Sequence, residues 1–181
     1  HRYSSAASDV YKRQQMELRL AAALANDENM IQAFIRGEDL HDYTAEQMGC
    51  DRQIAKSANF GLLYGAGAEG LRNYAGSSGV LMTLEEATKV RDNWLRTYKG
   101  VHAWQNKNYQ IAKNSSGNEW AETRIPLSNM RRYLKGDLNR VTVRCNTPIQ
   151  GAGAAILKCA LGNLWTEVKA VSYTHLRAHE T

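Results

Sequence analysis

Two cations and two aromatic rings recur at every fourth position in one stretch of this 181-residue chain. They are Arg52, Lys56, Phe60 and Tyr64, in the pattern Arg-x3-Lys-x3-Phe-Gly-x2-Tyr-Gly that ends at Gly65. An α-helix turns by about 100° per residue, so residues four apart share a face and drift by only about 40° per step. Ile54, Ala58 and Leu62 then fall on the opposite side, about 180° away. A guanidinium and an ammonium suit phosphate oxygens, and flat rings suit the face of a base. Together they describe a helix surface able to hold a nucleoside triphosphate. An Arg-x3-Lys pair alone describes any basic surface helix, and two rings alone describe a core. Their common register with Gly61 and Gly65 sets this segment apart.

Other reactive groups carry weaker signals. Gly65-Ala-Gly67-Ala-Glu-Gly70 fits G-x-G-x-x-G, but a dinucleotide loop follows a strand and here a helix precedes it. These glycines read as a helix end and a turn. His41 stands between Asp39 and Asp42 without the spacing of a metal-ligand set. Cys50, Cys145 and Cys159 are far apart, with no C-x2-C pair, and read as free thiols in a reducing compartment. Glu17 reads as a solvated carboxylate or a partner for Arg19. Asn146 and Gln150, four apart on one helical face, read as polar core residues or as ligand contacts.

The elements that position these residues are mostly helical. Periodic apolar positions mark helices over 17–25 and 29–35, broken at Asn26-Asp27, and a short helix from Thr44 to Met48 that ends at Gly49. The cation-and-ring helix follows from about 51 to 64. Thr83-Leu-Glu-Glu86 is a capping box, opening an amphipathic helix that stops at Gly100. A further helix spans Val101 to Lys113, ended by Asn114-Ser-Ser-Gly117. Glu119–Thr123 and Met130–Leu134 read as strands of a hairpin. From Leu138 the chain returns to helix, with Ile149, Ala152, Ile156, Leu157, Ala160, Leu164 and Trp165 as its apolar stripe and Pro148 interrupting its start. The fold class expected is mainly α (α+β) with a small antiparallel hairpin. With 23 Lys and Arg against 18 Asp and Glu, the formal charge of +5 suits a polyanionic partner. No apolar run reaches the roughly 18 residues of a membrane span.

The helix pattern closely resembles motif B, the O-helix of family A DNA polymerases, the bacterial polymerase I-like enzymes. Gln15-Met16-Glu17-Leu18-Arg19 resembles the second half of that family's motif A, Asp39-Leu40-His41 its Asp-Ile-His, and Asn146-Thr147-Pro148-Ile149-Gln150-Gly151 its Asn-x-Pro-x-Gln-Gly. Order and approximate spacing agree from Gln15 to about Ala170. The resemblance implies fingers helices plus part of a palm, and a DNA-directed DNA polymerase that adds dNTPs to a primer 3′ end with two Mg2+ ions. It implies that Arg52 clamps the terminal phosphates and that Lys56 contacts the triphosphate as a general acid toward pyrophosphate. It sets His41 near the triphosphate, Phe60 against the sugar, Tyr64 near the templating base, and Glu17 as a wall against a ribose 2′-hydroxyl. Asn146 and Gln150 would touch primer–template DNA. Thr142 stands where bacterial enzymes often carry Arg, which leaves two readings: Arg140 or Arg144 replaces that contact to DNA, or the contact is lost. The partners expected are primer–template DNA and dNTP, without a membrane, in the cytoplasm of a bacterium or a phage-infected host.

The two ends read differently. Residues 4–14 and 171–181 match what opposite strands of a common transposase-based sequencing adapter encode, so 1–14 and 171–181 are expected to lie outside a polymerase segment at 15–170. The charge of that segment is then +3, because Arg2, Lys12 and Arg13 against Asp9, and Arg177 against Glu180, lie outside it. Lys12 falls where motif A places its metal-binding Asp, and the sequence ends before the family's motif C, His-Asp-Glu. No metal ligand is therefore expected within this chain, and the isolated chain is expected to be inactive. Two other readings remain: a single-subunit phage-type RNA polymerase, disfavoured by Phe60 and Glu17, and a non-catalytic helical DNA-binding module.

Overall fold

The computed structural model describes residues 15–115 and 120–177, with backbone alone over 170–177. Helix α1 covers 15–25. It is followed by α2 (Glu28–Ile35), α3 (Leu40–Met48), α4 (Arg52–Leu62), α5 (Ala68–Ser77), α6 (Leu84–Thr97) and α7 (Lys99–Asn114). Strands β1 (Ala121–Ile125) and β2 (Met130–Leu134) form one antiparallel hairpin, with Thr123 opposite Arg132 and Arg124 opposite Arg131. A 3-10 turn at Gly136–Leu138 leads into the long α8 (Val141–Arg177). The mainly α architecture with one small hairpin is the one expected.

Side chains that accept the unpaired N–H groups of a first turn set most helix boundaries. Asp27, Asp39 and Asp51 cap α2, α3 and α4. Thr83 and Glu86 form the expected reciprocal box at α6. Asp39 moves the start of α3 back to Leu40, where apolar periodicity alone indicated Thr44, so His41 lies in a capped first turn. Gly49 closes α3 in the left-handed conformation, φ 62°.

Gly100 does not end a helix, contrary to the expectation; the break falls at Tyr98, and Gly100 lies in the first turn of α7. The reason is a close approach. A Cβ on Gly100 would sit 2.6 Å from the Cα of Asp27. Asp27, 1% exposed, accepts from Met30 N–H with Oδ1 and from Gly100 and Val101 N–H with Oδ2, at 2.8 and 3.1 Å. One carboxylate thus caps two helices. Local propensity does not indicate helix α5, since Gly70 and Gly76 weaken it. It forms because Leu71 and Ala75, both fully buried, pack it onto the rest of the molecule.

The core gathers Leu18, Met30, Leu62, Leu71, Trp94, Tyr98, Val101 and Ile149 from seven helices. Along α8 the expected apolar stripe holds only in part. Ile149 and Ala152 are buried, whereas Ile156, Leu157, Leu164 and Trp165 are 38%, 56%, 56% and 65% exposed, and Ala160 is exposed too. No described element covers α8 beyond Ala155. The first strand expected, from Glu119, begins instead at Ala121; Glu119 lies outside the described residues. The expected boundaries at 14 and 170 also meet the edge of the description: residues 1–14 lie outside it, and α8 continues through 171–177.

Candidate nucleotide and nucleic-acid site

Helix α4 carries the expected pattern, graded from charged and open to aromatic and covered. Arg52, with its side chain 47% exposed, follows the Asp51 cap. Lys56 is half-buried, Phe60 is 8% exposed, and Tyr64 lies half-buried in the turn just past the helix. Ala58 and Leu62 on the far side are buried, as a helix with one open face requires. Gly61 and Gly65 make room for protein: a Cβ on Gly61 would meet Leu71 Cδ1 at 3.1 Å, and one on Gly65, at φ 81°, would meet Val141 Cγ2 at 3.1 Å.

The N-terminal end of α3 faces the same cations. Arg52 Nε donates to Asp42 Oδ1 at 2.5 Å and Nη2 donates to Asp39 Oδ2 at 3.1 Å. The Asp42 pair is open to water on both sides, so it is weak and exchangeable for a better anion, whereas the Asp39 carboxylate is the more covered of the two. His41 is 4% exposed, and its ring meets Phe60 edge-on at 5.2 Å. Burial lowers its pKa from the ordinary value; Asp39 opposes that, Arg52 and Lys56 add to it, and Asp42 opposes it again. The imidazole is therefore neutral near pH 7.

Behind His41 lies a buried polar network that no sequence spacing reveals. Asn59, fully buried, lies 2.9 Å by Nδ2 from both His41 Nδ1 and Thr44 Oγ1. Its Oδ1 accepts from Trp94 Nε1 at 2.8 Å. Thr44 Oγ1 lies 2.5 Å from the Leu40 carbonyl and 2.6 Å from the Tyr98 hydroxyl. The available signal was an Asn in an otherwise small-apolar helix flank, next to Phe60; its partner Trp94 is too distant in sequence to be read from spacing.

Three motifs meet at Tyr64. Its hydroxyl donates to Glu17 Oε2 at 2.7 Å, and Gln150 Nε2 donates to the Tyr64 oxygen at 3.4 Å. Burial raises the Tyr64 pKa, and the Glu17 hydrogen bond and charge raise it further, so the phenol stays protonated. Glu17 therefore pairs with Tyr64 and not with Arg19, which stacks on Phe34 at 4.6 Å. An apolar cleft of about 390 Å³ opens beside Glu17 and Gln150, lined also by Met16, Ile149, Gly153 and Leu157. Gln105 Nε2, also not revealed by spacing, donates to the carbonyls of Leu62 and Leu63 at 2.7 and 3.0 Å and closes the end of α4.

Asn146 and Gln150 are exposed on α8, on the side where a ligand can reach them. Arg144 differs from the expectation of a DNA contact. It is 3% exposed, and its Nη2 donates to the Glu122 carbonyl of β1 at 2.8 Å, its Nη1 to Asn139 at 3.3 Å. A buried guanidinium so engaged ties the hairpin to α8. Arg140, the other replacement, is exposed, as are Arg124, Arg131 and Arg132 on the hairpin. Among the described residues no group of three His, Cys, Asp or Glu could hold a metal ion, and no helix is long and apolar enough to cross a membrane.

Comparison with known proteins gives one consistent result. A profile of DNA polymerase family A matches residues 8–179. DNA polymerase I of Aquifex aeolicus is 36% identical over 157 residues, covering 81% of this chain and 26% of that protein. The DNA polymerase of Mycobacterium phage L5 is 33% identical over 167 residues, 92% of this chain and 26% of that protein. The chain thus spans about a quarter of these relatives. Among solved structures, the polymerase domain of Pol1 from M. smegmatis, in complex with DNA primer-template and dNTP, superposes with a TM-score of 0.66 at 26% identity. That superposition covers 87% of this chain and 29% of the other.

Proposed function

Because this chain belongs to DNA polymerase family A, we propose that it forms the nucleotide-binding part of a DNA-directed DNA polymerase. The reaction joins a primer 3′-oxygen to the α-phosphate of a dNTP and releases pyrophosphate. Its demands are in-line positioning and neutralisation of phosphate charge. The observation that carries the reading is the open cationic end of α4, where Arg52 and Lys56 stand beside the capped start of α3 and His41.

In this reading Arg52 leaves Asp39 and Asp42 to clamp the terminal phosphates, and Lys56 neutralises and protonates the departing pyrophosphate. Phe60 borders the sugar. Glu17, held by Tyr64, blocks a ribose 2′-hydroxyl, and Tyr64 lies toward the templating base. Asn146 and Gln150 meet primer–template DNA from α8. Arg144 acts on DNA through the hairpin it holds. The polymerase segment is 15–170 and works in the cytoplasm. Family A polymerases are metal-dependent, and magnesium is the ion we assign. The described residues do not fit such an ion, so no step is derived through it.

The test is a chimaera in which residues 15–170 replace the matching segment of the Aquifex aeolicus relative. Single-turnover dNTP incorporation should fall about a hundredfold in Lys56→Ala, as when one transition-state donor is removed, while primer–template affinity stays within about threefold. A rate change below threefold removes Lys56 from the site. DNA affinity indifferent to nucleotide would favour the non-catalytic DNA-binding module instead.

A further inference from the structure

We propose that Asn59 is a positioning residue that holds His41 in the neutral tautomer protonated on Nε2, so that an N–H donor and not a lone pair faces the phosphates gathered by Arg52 and Lys56. The ligand in this statement rests on the nucleotide reading above; the tautomer rests on hydrogen-bond accounting alone.

An indole N–H can only donate, so the Asn59 atom 2.8 Å from Trp94 Nε1 is the carbonyl oxygen, and the other end of the amide is the NH2. A backbone carbonyl can only accept, so Thr44 spends its single hydroxyl proton on Leu40. The two Thr44 lone pairs then accept from Tyr98 and from one Asn59 N–H. The second Asn59 N–H points at His41 Nδ1, 2.9 Å away. These shorter contacts use each donor and acceptor once; the longer approaches of Thr44 Oγ1 to Asn59 Oδ1 at 3.2 Å and of Asn59 Nδ2 to the Leu40 carbonyl at 3.5 Å compete for the same protons and lose to the bonds at 2.5 and 2.9 Å. A flipped amide would set NH2 against the indole N–H and oxygen against a hydroxyl with no proton left. His41 Nδ1 therefore accepts and carries no proton.

A neutral imidazole with a bare Nδ1 carries its proton on Nε2. Among the described residues Nε2 has no partner, yet the buried side-chain polar atom without one is Arg144 Nε, so His41 Nε2 reaches the surface. The charged groups around the ring are Asp39 and Asp42 from its own helix and Arg52 and Lys56 from α4. The opposite tautomer would turn a lone pair toward phosphate oxygens. The assigned one donates to them without placing a third cation beside Arg52 and Lys56.

The tautomer can be read directly. The full chain, labelled with 15N-histidine, is studied by two-bond 1H–15N correlation near pH 7.5, with the His41 signals identified by their loss in His41→Gln. The nucleotide-free protein should show an unprotonated Nδ1 and a protonated Nε2. In Asn59→Asp one carboxylate oxygen keeps the Trp94 bond and the other faces Nδ1, so Nδ1 should become protonated. A protonated Nδ1 in the unsubstituted protein, or an unprotonated one in folded Asn59→Asp, overturns the assignment. If Asn59→Asp does not fold, the unsubstituted spectrum alone decides. Adding dATP should move the Nε2 signals and leave Nδ1 unprotonated; binding that leaves Nε2 unmoved overturns the donor role. Absence of any dATP binding counts against the nucleotide reading beneath it and leaves the nucleotide-free tautomer as a separate result.

Discussion

His41 couples the site to the stability of the fold through one proton. Burial, Arg52 and Lys56 lower its pKa, and Asp39 and Asp42 only partly oppose them. At pH values between its folded pKa and the ordinary value near 6.5, the unfolded chain binds a proton that the folded one does not. Stability is therefore full above about pH 6.5 and is lost as pH falls through the folded pKa, by at most about 1.4 kcal/mol per pH unit for one group. Thermal unfolding from pH 8 to pH 5 should show a steeper loss in the unsubstituted chain than in His41→Gln. Parallel profiles would mean that His41 titrates as it does when unfolded. Glu17 makes a second prediction at this scale. In the chimaera, Glu17→Ala frees Tyr64 and opens the sugar pocket, so the ratio of kcat/KM for dNTP over rNTP should drop at least about tenfold. If both rates fall together and the ratio holds, Glu17 serves only to anchor Tyr64. Arg52, Lys56, Phe60 and Tyr64 were legible because helical spacing aligns them within one short segment. Asn59 was not, because its role is defined by Trp94, 35 positions away, and no local pattern couples the two.

Helix starts show what local sequence can and cannot specify. The Thr83–Glu86 box is a matter of four consecutive residues and was readable; the double cap made by Asp27 depends on α7 arriving beside it. Asp27→Ala leaves three N–H groups without their acceptor, all of them in buried or half-buried surroundings. It should lower stability by about 2–4 kcal/mol, more than one exposed cap accounts for. Urea unfolding would measure it, and a loss under about 1 kcal/mol would mean water replaces the carboxylate. At the other end of the fold, a Cβ on Gly151 would lie 2.5 Å from Ile125 Cγ2, which sets how closely α8 approaches β1. Gly151→Ala should destabilise by about 1–3 kcal/mol through overpacking, and adding Ile125→Ala should recover part of that loss. Strict additivity of the two substitutions would contradict the contact. Helix α5 escaped the sequence reading for a related reason: Leu71 supplies in packing what its glycines lack in propensity.

At the scale of the whole molecule, two regions behave differently. Helices α1 to α7 and the first turns of α8 close around one core, whereas Leu157, Leu161, Leu164 and Trp165 lie more than half exposed along the rest of α8. The stripe itself was legible from periodicity; whether anything covers it was not, because periodicity reports a face and not its partner. Since these side chains add nothing to the core, Leu161→Glu with Leu164→Glu should leave unfolding free energy within about 0.5 kcal/mol. A larger loss would mean that the exposed half of α8 packs against the fold after all.

If Arg52 and Lys56 on α4 recognise the phosphates of a nucleotide, calorimetric titration of this chain with dATP, dADP and dAMP should tell the three ligands apart. Affinity should fall in the order triphosphate, diphosphate, monophosphate, with a difference that shrinks as salt rises and disappears in Arg52→Ala with Lys56→Ala. Equal affinity for dATP and dAMP, or a preference for dATP that survives the loss of both cations, would contradict that recognition.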